Sequence, residues 1–163
     1  MKQTHPFDPI IDGRSKVLIL GSFPSLKSFE NNFYYAHPRN QFWPIMAALF
    51  ETVLEDNDAR RTFALEHGIA MWDVYGALRR SRGNSSDANL SDLVLNDIPG
   101  LLKRHPKIRT VFCTGRKAYD GLKKAFPGLN AEVRLLPSTS PAYAAMKFDE
   151  KLEAYRAVKD ALG

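Results

Sequence analysis

The strongest constraint on the fold lies in residues 16–50, KVLILGSFPSLKSFENNFYYAHPRNQFWPIMAALF, where a buried strand, a long loop and a helix follow one another. Val17, Leu18, Ile19 and Leu20 form an unbroken apolar run, the pattern of a parallel strand covered on both faces. Gly21 then permits a turn or close approach that a side chain would obstruct. Ser22, Ser25 and Ser28 follow at the carboxyl end of the strand, where open α/β sheets bind ligands. After them come Phe29, Phe33, Tyr34 and Tyr35, a His37-Pro38 pair and the polar Arg39-Asn40-Gln41. The spacing of Phe42, Trp43, Ile45, Met46, Leu49 and Phe50 predicts a helix over 40–54, with Asn40 at its N-cap and Pro44 tolerated in its first turn. A long loop inside a compact domain is functional or disordered, and the aromatic content here argues against disorder. Rings, hydroxyls, a carboxamide and positive charge together suit a planar ligand bearing phosphate. Phe42 and Trp43, which begin the apolar helix face, read instead as core.

The rest of the chain alternates strands with helices. Residues 1–15, with Pro6, Pro9 and Gly13 around Phe7, Ile10 and Ile11, read as an extended lead-in covering an edge of the domain. Residues 56–67 predict a short helix stopped by Gly68. A strand over 69–74 brings Asp73 and then Tyr75 to its carboxyl end. Residues 76–92, GALRRSRGNSSDANLSD, read as a surface loop. There Arg79, Arg80, Arg82, Ser85 and Ser86 either grip phosphates and orient a polar base edge, or form a solvated turn. Helices over 96–105 and 116–126, strands over 110–114 and 132–136, and a final helix over 149–162 complete the pattern. Four such strands predict an α/β fold: a three-layer α/β/α sandwich around a four-stranded parallel sheet, formed by one domain spanning 1–163. The loops after Leu20, Val74 and Leu136 then share one sheet edge.

Composition excludes more than it selects. The 163 residues are 44% hydrophobic and 25% charged, with a net charge of +5, a modest tilt toward anionic partners. The single cysteine, Cys113, lies in an apolar run and reads as core; alone it makes no intramolecular disulfide and no four-cysteine cluster. No run of about 18 apolar residues is present and the first residues lack a signal-type core, so a cytoplasmic or nucleoid location and no membrane partner are expected. There is no GxxxxGK[ST] phosphate loop, no GxGxxG after a strand and no GxSxG nucleophile elbow. His5, His37, His67 and His105 show no ligand spacing, so no metal or other cofactor is expected; of the four, only His37 lies in a functional loop.

Two signature stretches carry a resemblance: GSFPS with YYAHPRNQFWPIM after the first strand, and LPSTSPAYA after the last. Together they resemble the uracil-DNA glycosylase superfamily, closest to its hypoxanthine-DNA (deoxyinosine) group and next to the mismatch-specific uracil/thymine glycosylases. The resemblance spans 16–162. It implies an enzyme that hydrolyses the N-glycosidic bond of a deaminated base in DNA, hypoxanthine before uracil, working as a monomer without cofactor. It further implies a base pocket from Gly21, Ser22, Phe23, Tyr35 and Asp73. DNA contacts are implied for Ser25, Arg39, Ser85, Ser86, Ser138, Thr139, Ser140, Tyr143 and Lys147, with Ala142, Tyr143 and Lys147 close to the wedge position. The superfamily usually keeps a catalytic Asn or Asp two residues after its opening glycine; here that position is Phe23, suited to stacking on a base. The resemblance therefore moves the catalytic role to Asn40, with His37 as rival. Ser138 stands where other members often have His or Asn. Two further readings stay open, a catalytically idle nucleic-acid-binding module and a small-molecule hydrolase using the same loops.

Overall fold

A computed structural model describes residues 2–4, 8–24, 28, 33–80, 90–141, 143 and 145–163. Four parallel strands, β2 (Val17–Gly21), β3 (Ile69–Asp73), β6 (Thr110–Thr114) and β7 (Glu132–Leu136), pair in the order β3-β2-β6-β7. The helices bounded among the described residues are α1 (Phe42–Leu49), α2 (Asn57–His67), α3 (Ile98–Arg104), α4 (Arg116–Ala125) and α5 (Phe148–Ala161). Strand side chains alternate in direction, so each central strand feeds two cores. Val17, Ile19, Ile69, Met71 and Phe112 join Ile45, Met46, Phe63, Tyr155 and Val158 of α1, α2 and α5. Leu18, Leu20, Ala70, Val111 and Cys113 join Ile98, Leu101, Ala118 and Leu122 of α3 and α4. The expected three layers follow, and Cys113 is core as read from the sequence.

The ends of α2 follow from its sequence, whereas the start of α1 does not. Asp56 caps α2 by accepting from Ala59 N at 2.7 Å, and Gly68 closes it in the left-handed region at φ 77°. The helix expected over 40–54 starts two residues later and stops at Leu49. Gln41, not Asn40, occupies its N-cap position, and the Asn40 side chain instead accepts from Phe42 N at 2.9 Å. The carboxamide thus steadies the helix entry from one residue further out.

Two segments differ from the sequence reading. Residues 76–92 do not form a plain loop: β4 (Tyr75–Arg80) and β5 (Leu90–Leu95) pair antiparallel, and β1 (Lys2–Thr4) adds to β4 to make a second, three-stranded sheet. Alternation is weak there because these strands owe their existence to pairing with one another and with residues far away in sequence. The lead-in is therefore partly a strand, yet it also covers an edge as expected. Ile10 exchanges two backbone hydrogen bonds with Met71, each 2.9 Å, along the outer side of β3.

Candidate active site

The strand order reverses direction between β2 and β6, the two central strands of the sheet, and ligand crevices of open sheets lie at such a switch point. Gly21 ends β2, Asp73 ends the neighbouring β3 in register with it, and Thr114 ends β6. A Cβ on Gly21 would lie 2.6 Å from Asp73 Oδ1 and 3.1 Å from the Tyr35 hydroxyl, so only glycine admits both polar groups there. Asp73 is 4% exposed, and its backbone carbonyl accepts from Asn96 Nδ2 at 2.8 Å, which fixes the end of β3.

Tyr35 reaches this point from the long loop in a left-handed conformation, φ 54°, which costs a bulky residue about 1–3 kcal/mol. Its ring stacks on Phe42 with centroids 4.3 Å apart, and its hydroxyl lies 2.9 Å from Thr114 Oγ1. Thr114 gives its own proton to Leu20 O at 3.3 Å, so Tyr35 is the donor to Thr114. Burial, and after it the charge of Asp73, raises the Tyr35 phenol above its usual range and keeps it neutral.

Two other loop aromatics serve the core. Phe33 stacks on Trp43 at 5.9 Å, and Trp43 Nε1 donates to Tyr34 O at 2.9 Å while the Tyr34 hydroxyl donates to Asp8 O at 3.0 Å. Ser28, itself buried, accepts from Ala36 N through Oγ at 3.1 Å and from Phe33 N through its carbonyl at 3.2 Å. The segment carrying Tyr35 is thus anchored on both sides, as a preorganised site requires.

His37 and Asn40 form one turn. Asn40 N donates to His37 O at 2.9 Å, and Arg39 N donates to His37 Nδ1 at 3.0 Å. With Nδ1 accepting, a neutral His37 carries its proton on Nε2. Asn40 uses Oδ1 for Phe42 N, and among the described residues its Nδ2 has no partner. The Arg39 side chain is exposed.

The last loop closes the site from the other side. Gly115 N donates to Leu136 O at 2.9 Å and Gly115 lies against Ser138, so the loop after β7 meets the end of β6. Ser138 Oγ accepts from Ser140 N at 3.1 Å, and Thr139 O accepts from Gln41 N at 3.0 Å. Thr139 Oγ1 is buried without a partner among the described residues. Tyr143 is exposed, as is Lys147, whose N–H donates to Glu150 Oε1 at 3.3 Å at the entry of α5.

Part of the expected constellation is brought together in two groups: Gly21, Tyr35 and Asp73 are in contact, and His37, Asn40 and Thr139 are linked through residues 37–41. Ser22 is half-buried at the rim, its carbonyl accepting from Tyr75 N at 3.1 Å. Phe23 packs, half-buried, against the α3/α4 side of the core. Ser25, Ser85, Ser86 and Ala142 lie outside the described residues. Thr114, Gln41 and Lys151 were missed. Thr114 could have been found as the hydroxyl closing β6 before Gly115, whereas nothing in the sequence separates Lys151 from its exposed neighbours. Among the described residues no group of His, Cys, Asp and Glu is arranged to hold a metal ion, and no helix is long and apolar enough to cross a membrane.

Comparison with known proteins identifies the family. The chain is similar to the hypoxanthine DNA glycosylase of Methanosarcina acetivorans, 36% identical over 140 residues, which cover 83% of this chain and 85% of the relative. The enzyme of the same name from Methanosarcina barkeri is 33% identical with the same coverage. A candidate uracil DNA glycosylase of Methanosarcina acetivorans, solved by solution NMR, superposes with a TM-score of 0.83 at 27% identity, covering 100% of both chains. The model of the uracil DNA glycosylase superfamily matches residues 9–162, and the chain belongs to that superfamily.

Proposed function

We propose that the protein is a monofunctional DNA glycosylase that hydrolyses the N-glycosidic bond of a deaminated base, hypoxanthine first and uracil second, and leaves an abasic site. The observation that carries the reading is the side-chain-free Gly21, flanked by the buried Asp73 carboxylate and the Tyr35 phenol at the switch point of the sheet. The names of the Methanosarcina relatives support hypoxanthine as the first substrate.

Such an enzyme acts on a base taken out of the stack. An ionised Asp73 is an acceptor only, which suits the N1–H of hypoxanthine and the N3–H of uracil but no edge of adenine's N1 or cytosine's N3. The free Asn40 Nδ2–H is suited to the exocyclic oxygen, where negative charge grows as the bond breaks, and His37 Nε2–H is the second donor. As the C1′–N bond breaks, its electron pair leaves with the base. Water adds to C1′ of the cationic sugar, and the proton it loses balances the base's departure. Phe23 offers a stacking surface at the rim. Ser25, Ser85, Ser86, Ser138, Thr139, Ser140 and Arg39 are the proposed backbone contacts, and Tyr143 and Lys147 approach the duplex from the last loop. In this reading one domain acts as a monomer on DNA in the cytoplasm or nucleoid, with no metal in the reaction.

A panel of duplex and single-stranded oligonucleotides, each with one damaged base, scored for alkali-labile abasic sites, tests the proposal. Excision of hypoxanthine that persists in chelator is expected. Binding that weakens steeply with salt but never yields an abasic site would favour the idle binding module.

A further inference from the structure

α5 turns one face inward through Lys151, Tyr155 and Val158, spaced four and three residues apart. The first is a lysine, 2% exposed, where an aliphatic side chain would pack without desolvating a charge. Its ammonium donates to Gln41 Oε1 at 2.7 Å and to Tyr143 O at 2.8 Å, and lies 5.3 Å from the centroid of the Tyr143 ring. Gln41 N in turn donates to Thr139 O, so Thr139, Gln41, Lys151 and Tyr143 form a ring that the chain itself closes, Tyr143 N donating to Ser140 O at 3.0 Å. One side of that ring is the start of α1, next to Asn40; the other is the loop bearing the exposed Tyr143.

We propose that Lys151 is a positioning residue: its buried ammonium ties the Tyr143 loop to the entry of α1, so that the surface meeting the duplex and the surface receiving the base keep one fixed separation. The proposal rests on the glycosylase reading above. A molecule that extrudes a base must hold these two surfaces in register, because small misplacements at a reacting centre are costly. Lys151 joins Gln41 to Tyr143 directly, while Tyr155 of the same helix meets the ring of Phe42, the first residue of α1, edge-on with centroids 6.3 Å apart. The Tyr155 hydroxyl, one turn along α5, donates to Pro137 O at 2.5 Å and secures the base of the same loop.

The helix supplies its own control. Lys159 also donates to a backbone carbonyl of the α1 region, Leu49 O at 3.0 Å, and sits over the Phe50 ring at 5.5 Å, but it touches neither loop. Lys151→Met and Lys159→Met therefore remove the same chemistry from one helix at two places. Both are compared for melting temperature, single-turnover excision of hypoxanthine at saturating enzyme, and fluorescence of a 2-aminopurine beside the damaged base. Lys151→Met is expected to lower the saturating rate by about tenfold or more and to blunt the fluorescence change, with Lys159→Met within about twofold of wild type. Gln41→Leu should match Lys151→Met, and the double variant should lose no more than the worse single, as members of one unit do. Equal rates in the two lysine variants, or losses that multiply in the double, overturn the proposal. A wild-type protein that excises no base overturns the glycosylase reading instead. Amide exchange over residues 138–147 then decides the tether: faster exchange in Lys151→Met alone supports it, and equal exchange in both variants overturns it.

Discussion

Two strands of one sheet hand the chain to their helices in opposite ways. After β6, Gly115 alone makes the turn into α4, at φ 103° and ψ 164°, a region open in practice only to glycine. After β2, residues 22–41 intervene before α1. Both connections leave the same sheet edge, and both touch the site, the first through Ser138 and the second through Tyr35. The short one has no side chain with which to do chemistry, so its freedom is spent on geometry. The long one carries the phenol, imidazole and carboxamide, and it needs anchors that the short one does without: Trp43 on Tyr34, Tyr34 on Asp8, and Ser28 on Ala36. Chemistry is placed where the backbone is long enough to return to the strand end, and rigidity is then supplied by packing.

The largest effect should come from the long connection. Asn40→Ala is expected to lower excision by about 100- to 1,000-fold, the usual consequence of losing a donor to developing charge, and to cost about 1 kcal/mol of stability through the lost bond to Phe42 N. Asn40→Asp keeps that acceptor and should melt like wild type, yet it lacks the Nδ2 donor and should excise as poorly as the alanine variant. His37→Ala should lose less, about tenfold. Were His37→Ala dead and Asn40→Ala nearly intact, the catalytic role would pass to the imidazole, leaving Asn40 a helix-entry residue.

A pair of glycine variants sets the two connections against each other directly. Gly21→Ala forces Asp73 and Tyr35 apart and should reduce excision at least tenfold with about 1–3 kcal/mol lost, as overpacking does. Gly115→Ala meets Ser138 Cβ only at 3.4 Å, so backbone strain of about 1–3 kcal/mol is its main cost, with excision per folded molecule within a few-fold of wild type. Chemical denaturation and single-turnover assays on both variants decide it; a catalytic loss in Gly115→Ala as large as in Gly21→Ala would dissolve the distinction.

Alkaline pH should strain the long connection more than the short one. Burial raises the phenols of Tyr34, Tyr35 and Tyr155 above the ordinary value of 10.0, so the folded state keeps protons that the unfolded chain releases. Their stabilisation is therefore complete below pH 10 and is lost as pH rises beyond it. Urea midpoints measured between pH 8 and pH 11 should drop at the upper end, with tyrosinate absorbance rising in step with unfolding; Tyr35→Phe should lessen the drop. The smallest effect is expected for exposed Arg39: its alanine variant should weaken DNA binding a few-fold and reduce the slope of log affinity against log salt by about 1, with the saturating excision rate unchanged.

The parallel sheet was legible because its strands are buried on both faces and so write themselves as short apolar runs, as Val17-Leu18-Ile19-Leu20 does. The helix over 56–67 and its stop at Gly68 were legible for equally local reasons, as was the close approach at Gly21. Strands β1, β4 and β5 were not, since Lys2–Thr4 pairs with residues 77–79 and no local period records a partner so far away. Nor was the division of the loop aromatics, in which Phe33 and Tyr34 turn to the core while Tyr35 turns to the site.

What the sequence by itself determined was the order of the parallel strands and their helices, and the residue types gathered at the strand ends, because hydrophobic period, turn chemistry and strand ends are properties of neighbours in the chain. What only the tertiary structure decided was who touches whom. Thr114 accepts from the Tyr35 hydroxyl across 79 residues, and Lys151 reaches Gln41 across 110. A hydrogen bond needs its partners within about 3 Å and aligned, and that condition is met by the packing of whole elements, which no stretch of sequence contains.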